Sequence, residues 1–169
     1  MASGSLSDEG RRPSGGGPPF KPDYTAAREM SSRASTFARR GRDLYVALDY
    51  SDASIEAADE VGIRLWDSLV VGLSDDQAED VRRRLIFELA AYFGETLIQN
   101  YGGQWGWAMM AGRKFFALRT DSGFIAFPVN RARKRLRGEE PDPLVTLYRF
   151  LAHAGRSLSK ATSPTYRKS

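Results

Sequence analysis

The side chains best suited to acid–base or metal chemistry are Glu88, Glu95 and the single histidine, His153. Glu88 and Glu95 lie seven residues apart, which places them on one face of a helix with Tyr92 and Gln99 near the same stripe. Two carboxylates so arranged can exchange a proton with a substrate or hold a hard cation. On a helix otherwise rich in charge, the same spacing serves ion pairs with arginines, and that structural role is preferred. His153 stands near the end of the last expected helix, where the helix dipole favours a cation. It has neither a cysteine nor a second histidine to complete a metal site. No G-x-S-x-G elbow presents a serine to it. A hydrolase or metal enzyme built on these three residues ranks last of three readings, and no catalytic residue, metal ligand or cofactor is assigned.

The best anion-binding candidates are Arg131, Arg133, Lys134 and Arg135, joined by Arg137. They follow an expected strand and open a short helix, whose first N–H groups also favour anions. Residues 113–137 hold eight basic groups and one acid, Asp121, a net of +7, whereas residues 44–112 hold four basic and twelve acidic groups, a net of −8. One half can neutralise the other, within the domain or between copies. A protein partner ranks next and nucleic acid last. The overall charge of +4 does not reverse that order, because residues 1–22 carry a net +1 and residues 156–169 a net +4, leaving −1 for residues 23–155. Counterion release from a nucleic acid needs cations held together on a surface, so a loose basic tail gives weak, salt-sensitive attachment.

The third set of candidates is aromatic. Trp105 and Trp107 fall with Met109 on one side of an expected strand, Phe115 and Phe116 on opposite sides of the next, and Phe124 opens a third. Large apolar groups on both faces of a sheet mean that helices cover both, or that one face meets a partner. Aromatics dominate binding hot spots. Trp105, Trp107, Phe115 and Phe124 are therefore the candidate anchors, with Arg131, Arg133 and Arg135 as a charged rim.

These residues need a frame, and the frame centres on Arg82 to Trp107. Ile86, Leu89, Phe93 and Leu97 recur at helical spacing, widened by Leu85 and Ala90, and the pattern switches to period two at Gly102-Gly103. Gly94 inside that helix costs about 1 kcal/mol against alanine. It predicts close approach of another backbone, the sheet, with Glu95 in reach of a strand end or a neighbouring tyrosine. Ser74 followed by Gln77 is a capping-box signature for the helix start, and Glu79–Arg83 has ion-pair spacing. Upstream, Asp23 caps a basic helix with Ala27, Met30, Ala34, Phe37 and Ala38 on one face and Gly41 as its stop. Leu44–Leu48 reads as a short extended run. Ser51 caps a second helix carrying Ile55, Ala58, Gly62, Leu65 and Leu69. Downstream, strands are expected at 104–110, 114–119 and 124–128, joined by loops short enough to imply an antiparallel meander. Asn130 caps a helix over 131–137, and Asp142-Pro143 starts a final helix ending near Gly155.

The expected fold is therefore α+β: helices packed on a three-stranded antiparallel meander, one domain with disordered ends. The divisions are a disordered tail over 1–22, a basic amphipathic helix and linker over 23–43, the α+β domain over 44–155 and a basic tail over 156–169. The chain has 169 residues, 41% hydrophobic and 11% aromatic, enough for a core without staples. There is no cysteine, which fits a reducing compartment or indifference to redox. The first residues, MASGSLSDEGRR, lack an apolar signal region, and no apolar run approaches the roughly 18 residues of a membrane span. A cytoplasmic protein is expected.

Several landmarks, taken as an ordered set over residues 44–152, resemble a family of small uncharacterised bacterial α+β domains. They are Leu48-Asp49-Tyr50-Ser51, Tyr92-Phe93-Gly94-Glu95, Gly102-Gly103-Gln104-Trp105, and Phe127-Pro128-Val129 followed by Lys134-Arg135-Leu136 and Asp142-Pro143-Leu144. The resemblance implies a compact domain of unknown function and carries no catalytic assignment. The first 43 residues and the basic tail depart from it. The leading expectation is a non-catalytic partner-binding or regulatory module of the bacterial cytoplasm, acting on a protein partner or by self-association. The alternative is a nucleic-acid-associated protein using the 131–137 helix and the tails.

Overall fold

A computed structural model describes residues 17–161, with side chains described through residue 157. The chain enters as a three-residue strand, β1 (Phe20–Pro22), inside the segment expected to be disordered. The sheet holds it: the Met109 N–H donates to the Pro19 carbonyl, and the Asp23 N–H to the Trp105 carbonyl. Residues 1–16 lie outside the described part, as do residues 162–169 of the expected basic tail.

Asp23 then caps α1 (Tyr24–Asp43), its Oδ1 accepting from the N–H groups of Thr25 and Ala26 at 3.1 and 3.0 Å. Gly41 does not stop this helix. It is buried within the last turn, where a Cβ would strike the Leu48 side chain. Residues 44–48 form no strand; the Val46 N–H turns back onto the Gly41 carbonyl at 2.8 Å. Helix α2 (Ser54–Ser68) begins three residues after Ser51, whose Oγ accepts from the Ser54 N–H. The capping box forms as expected, Ser74 with Gln77, and starts the 27-residue α3 (Asp75–Tyr101). Glu79 pairs with Arg137 and Asp80 with Arg83, in place of the expected Glu79–Arg83 bridge.

Helix α3 is the axis of the core. Leu85, Leu89, Ala90, Phe93 and Leu97 are buried along it, packed between Met30, Ala34 and Phe37 of α1 and Ile55, Val61 and Leu65 of α2. Each of the larger side chains contributes about 1.5–3 kcal/mol by leaving water. Gly102, at φ +78°, ends α3 and turns the chain into β2 (Gly103–Met110). Strand β3 (Arg113–Thr120) returns through the two-residue turn Ala111-Gly112, followed by the two-residue β4 (Ile125–Ala126). The sheet therefore has four antiparallel strands, in the order β1-β2-β3-β4, rather than three. Its register sets Trp105 opposite Leu118 and Trp107 opposite Phe116 on the face toward the helices. Phe20, Ala108 and Phe115 share the other face. Gly106 is needed there: a Cβ at that position would meet the Lys21 carbonyl and the Phe20 ring.

The third expected strand is cut short because Pro128 begins a helix, α4 (Pro128–Leu136), with proline in its first turn. Asn130 lies inside α4, and its side chain accepts from Arg133. Helix α5 (Leu144–Ala161) runs past Gly155 and buries Leu144, Tyr148, Leu151 and Ala152.

Candidate functional site: a groove on the open edge of the sheet

Ala111 and Gly112 both have positive φ, 48° and 72°. This is the primed turn of a two-residue hairpin, in which the flanking residues Met110 and Arg113 exchange backbone hydrogen bonds. Odd-numbered residues of β3 then bond to β2, while Lys114, Phe116, Leu118 and Thr120 aim their N–H and C=O groups at the opposite side. The Thr120 N–H, donating to the Phe124 carbonyl at 2.9 Å, follows that pattern. Strand β4 meets only Leu118 and Arg119. Among the described residues, no hydrogen bond reaches the backbone of Lys114 or Phe116 from that side.

A groove of about 460 Å³ lies along this open stretch, lined by Met110, Phe115, Phe116, Phe127, Val129 and Arg133 with Asn130. Phe115 and Phe116 are neighbours on β3 and point to opposite faces, so a groove touching both sits on the strand's edge. The far wall is the start of α4, and the Phe127 ring meets Phe115 edge-on at 6.2 Å. Met110 and Phe115 are each 41% exposed and stand together at the mouth of this groove. The rim is cationic. Arg113 and Lys114 are exposed; among the described residues Arg113 has no ion pair, while the Lys114 ammonium lies over the Trp107 ring at 5.4 Å and acts on the Asp23 carboxylate without bonding to it. Arg133 reaches Glu139 only at 3.6 Å, both side chains being well exposed.

The remaining candidates are distributed elsewhere. Trp105 is 1% exposed, stacked on Phe116 at 5.3 Å and donating its indole N–H to Glu95 at 2.8 Å. It offers no surface to a partner. Trp107 is half-buried and donates to Asp23 at 3.0 Å. The Asp23 carboxyl is held below its ordinary value by the Ala26 N–H and then by this indole. Phe124 is exposed but leans on Phe150 of α5, in a separate patch that Lys134 also lines. Most of the α4 arginines are spoken for inside the chain. Arg131 pairs with Glu140 at 3.0 Å and Arg137 with Glu79 at 2.8 Å. Arg135 grips the buried Asp59 with Nε and Nη2 at 3.0 and 2.8 Å and donates Nη1 to the Pro141 carbonyl.

Glu88, Glu95 and His153 do not share surroundings. Glu88 is buried and closed by Arg40, whose Nε and Nη2 donate at 2.5 and 3.1 Å. Glu95 is half-buried beside Gly94, where a Cβ would strike the Trp105 ring; burial lifts its carboxyl above the ordinary value, and the Trp105 indole partly offsets this. The close approach expected at Gly94 is thus a side-chain ring from the sheet rather than its backbone. His153 is exposed on α5. Among the described residues, no group of three or more histidine, cysteine, aspartate or glutamate side chains could hold a metal, and no helix is long and apolar enough to cross a membrane.

Two features escaped the sequence. One is the groove itself, whose signal was the proline closing β4 after two residues. The other is a polar knot on Asp52, which accepts from Tyr148 Oη at 2.6 Å and Tyr101 Oη at 2.5 Å, with Asn100 and Arg156 beside them. Burial and then the Asp52 carboxylate push the Tyr148 hydroxyl up, so it stays a donor. Tyrosines at the ends of apolar stripes were the available sign, since a buried phenol needs a partner.

No family model, curated protein or solved structure matches the chain. The landmark motifs nonetheless meet one another. The Tyr92 hydroxyl accepts from the Tyr50 N–H at 3.0 Å, Gly94 and Glu95 receive Trp105, and Asp59 accepts from both Arg135 and the Leu144 N–H. These contacts join distant parts of the fold.

Proposed function

We propose that the protein is a non-catalytic protein-interaction module that receives its partner in the groove between β3 and the start of α4. The observation that carries this reading is the coincidence of three features in one place: an unpaired stretch of strand backbone, exposed Phe115 and Met110, and two exposed cations, Arg113 and Lys114, neither bonded to a carboxylate among the described residues. Buried carboxylates elsewhere, Asp59 and Glu88, are each closed by an arginine. Nucleic-acid association is the weaker reading, because Arg131, Arg135 and Arg137 are engaged by Glu140, Asp59 and Glu79 and do not form a free basic surface.

Selection from a random peptide library displayed on phage tests the proposal. Selected peptides should lose binding at least tenfold on Phe115→Asp and on Val129→Asp, and keep it on Glu60→Gln, an exposed change on α2. Equal binding by all three variants would remove the groove from consideration. A steep salt dependence of binding to random-sequence DNA, with no peptide selected, would favour the nucleic-acid reading instead.

A further inference from the structure

We infer that the groove is filled by strand addition: an extended, acidic segment of the partner pairs with the free edge of β3 at Lys114 and Phe116 and becomes the strand that β4 is too short to provide. This rests on the groove being the interaction site and specifies how it is used. Strand edges with unpaired N–H and C=O groups are templates for another chain, and folded proteins usually block them. The sheet's other edge is blocked in that manner. Strand β1 has three residues, ends in Pro22 and follows Pro18 and Pro19, which have no N–H to give. Nothing comparable protects β3 between Arg113 and Ala117, five residues spanning about 16 Å at ordinary strand rise. That stretch contains no proline and carries two exposed or half-buried phenylalanines.

The chemistry of the occupant follows from the walls and the rim. Main-chain bonds to Lys114 and Phe116 supply attachment without sequence preference, and side chains entering the groove beside Phe115, Phe127 and Val129 supply the choice of apolar residues. The rim cations Arg113, Lys114 and Arg133 select against lysine and arginine and favour glutamate or aspartate at the alternate positions. A second copy of this chain is the wrong partner for the same reason. Edge-to-edge pairing of two β3 strands would bring Arg113 and Lys114 of both copies into one short ladder with no acidic residue on either strand to offset them.

The test uses the full chain and four synthetic ten-residue peptides with blocked ends. The first alternates valine and glutamate and the second valine and lysine. The third and fourth repeat the first with N-methyl groups on one alternating set of residues or on the other. The acidic peptide should bind at least tenfold more tightly than the lysine peptide. One methylated form should lose binding at least tenfold while the other stays within about twofold, since only one set of N–H groups faces β3. Hydrogen exchange at the Lys114 and Phe116 amides should slow at least tenfold on binding. Exchanging both rim cations, Arg113→Glu with Lys114→Glu, should reverse the preference toward the lysine peptide without touching the core. Four outcomes overturn the inference. If Phe115→Asp abolishes binding but both methylated peptides bind as well as the parent, the groove reading stands and strand addition fails. If neither Phe115→Asp nor methylation matters, both fail. A preference for the lysine peptide by the unaltered chain removes the acidic occupant. Concentration-dependent protection of the Lys114 and Phe116 amides without peptide assigns the edge to a second copy.

Discussion

The helical side of the molecule and the open edge of its sheet treat polar groups in opposite ways. On the helical side, Asp59, Glu88 and Asp52 are brought in from distant parts of the chain, and each is closed by partners: Arg135, Arg40, and the pair Tyr101 and Tyr148. At the edge, the backbone of Lys114 and Phe116 has no such partner among the described residues, and the Lys114 charge meets only the Trp107 ring and the unbonded Asp23 carboxylate. A buried group left unpaired costs stability, whereas an exposed one costs little because water serves it. The difference teaches that the bonded carboxylates tie this fold together, whereas the open edge keeps backbone groups available for binding. It can be broken by perturbing each region and asking which quantity moves.

The largest effect on stability is expected from Asp59→Ala. The substitution strands the Arg135 guanidinium and removes the acceptor of the Leu144 N–H, tying α2, α4 and the start of α5 less firmly. Removing one member of a buried pair costs about 3–5 kcal/mol, read as a fall in the urea midpoint. Loss under 1 kcal/mol would mean that water reaches Arg135 and that the helical side is less closed than its contacts indicate.

Gly94→Ala comes next. Its Cβ would enter the space of the Trp105 ring, with Leu118 close behind, so α3 and the sheet must part or Trp105 must leave its rotamer. Overpacking of this kind costs about 1–3 kcal/mol. A red-shifted tryptophan emission should accompany it if Trp105 moves toward water. The substitution sharpens the comparison, because it strains the joint between the two regions while leaving the edge residues untouched.

How much of this was legible in the sequence depended on range. The Ser74–Gln77 box, the Asp23 cap and the stripe Ile86, Leu89, Phe93, Leu97 are set by neighbours within a few residues, and the structure follows them. Gly94 announced a close approach because a glycine inside a strong helix needs a reason. The strand state of Phe20–Pro22 was illegible, since three residues with a proline have no periodicity and take their conformation from β2. Period two placed Trp105 and Trp107 on one face but not their depth, which Gly94 decides by admitting only the first. The fate of the α4 arginines was equally hidden: Arg135 and Asp59 are 76 positions apart. The groove was least visible: Pro128 marks the early end of β4, but the open edge it leaves on β3 depends on a pairing between separate strands.

A pH series on Glu95→Gln separates the interior carboxylates from one another. Burial raises the Glu95 carboxyl above its ordinary value near 4.5, so the fold favours its protonated form. That favourable contribution is complete below the ordinary value and is lost as pH climbs through the raised one. Glutamine keeps an oxygen for the Trp105 indole and carries no charge to desolvate. The stability of the variant relative to the natural chain should therefore grow as pH rises from about 4.5 and then level off. A variant that instead loses ground as pH rises would show that the ionised carboxylate is stabilised by a group not bonded to it in this arrangement.

The smallest effect on stability, and the most informative for function, is expected from Phe115→Ser. Phe115 is 41% exposed, and its main contact is the edge-on Phe127 ring. Much of the ring is already in water, so its loss should cost about 1 kcal/mol, a small shift of the urea midpoint. Binding of library-selected peptides should nonetheless fall at least tenfold, since exposed aromatics carry a disproportionate share of interface energy. The opposite pattern, a clear loss of stability with binding intact, would make Phe115 part of the core and erase the distinction between the two regions. Stability and binding would then depend on the same contacts, and the open edge would be a margin of the fold rather than a surface kept available by it.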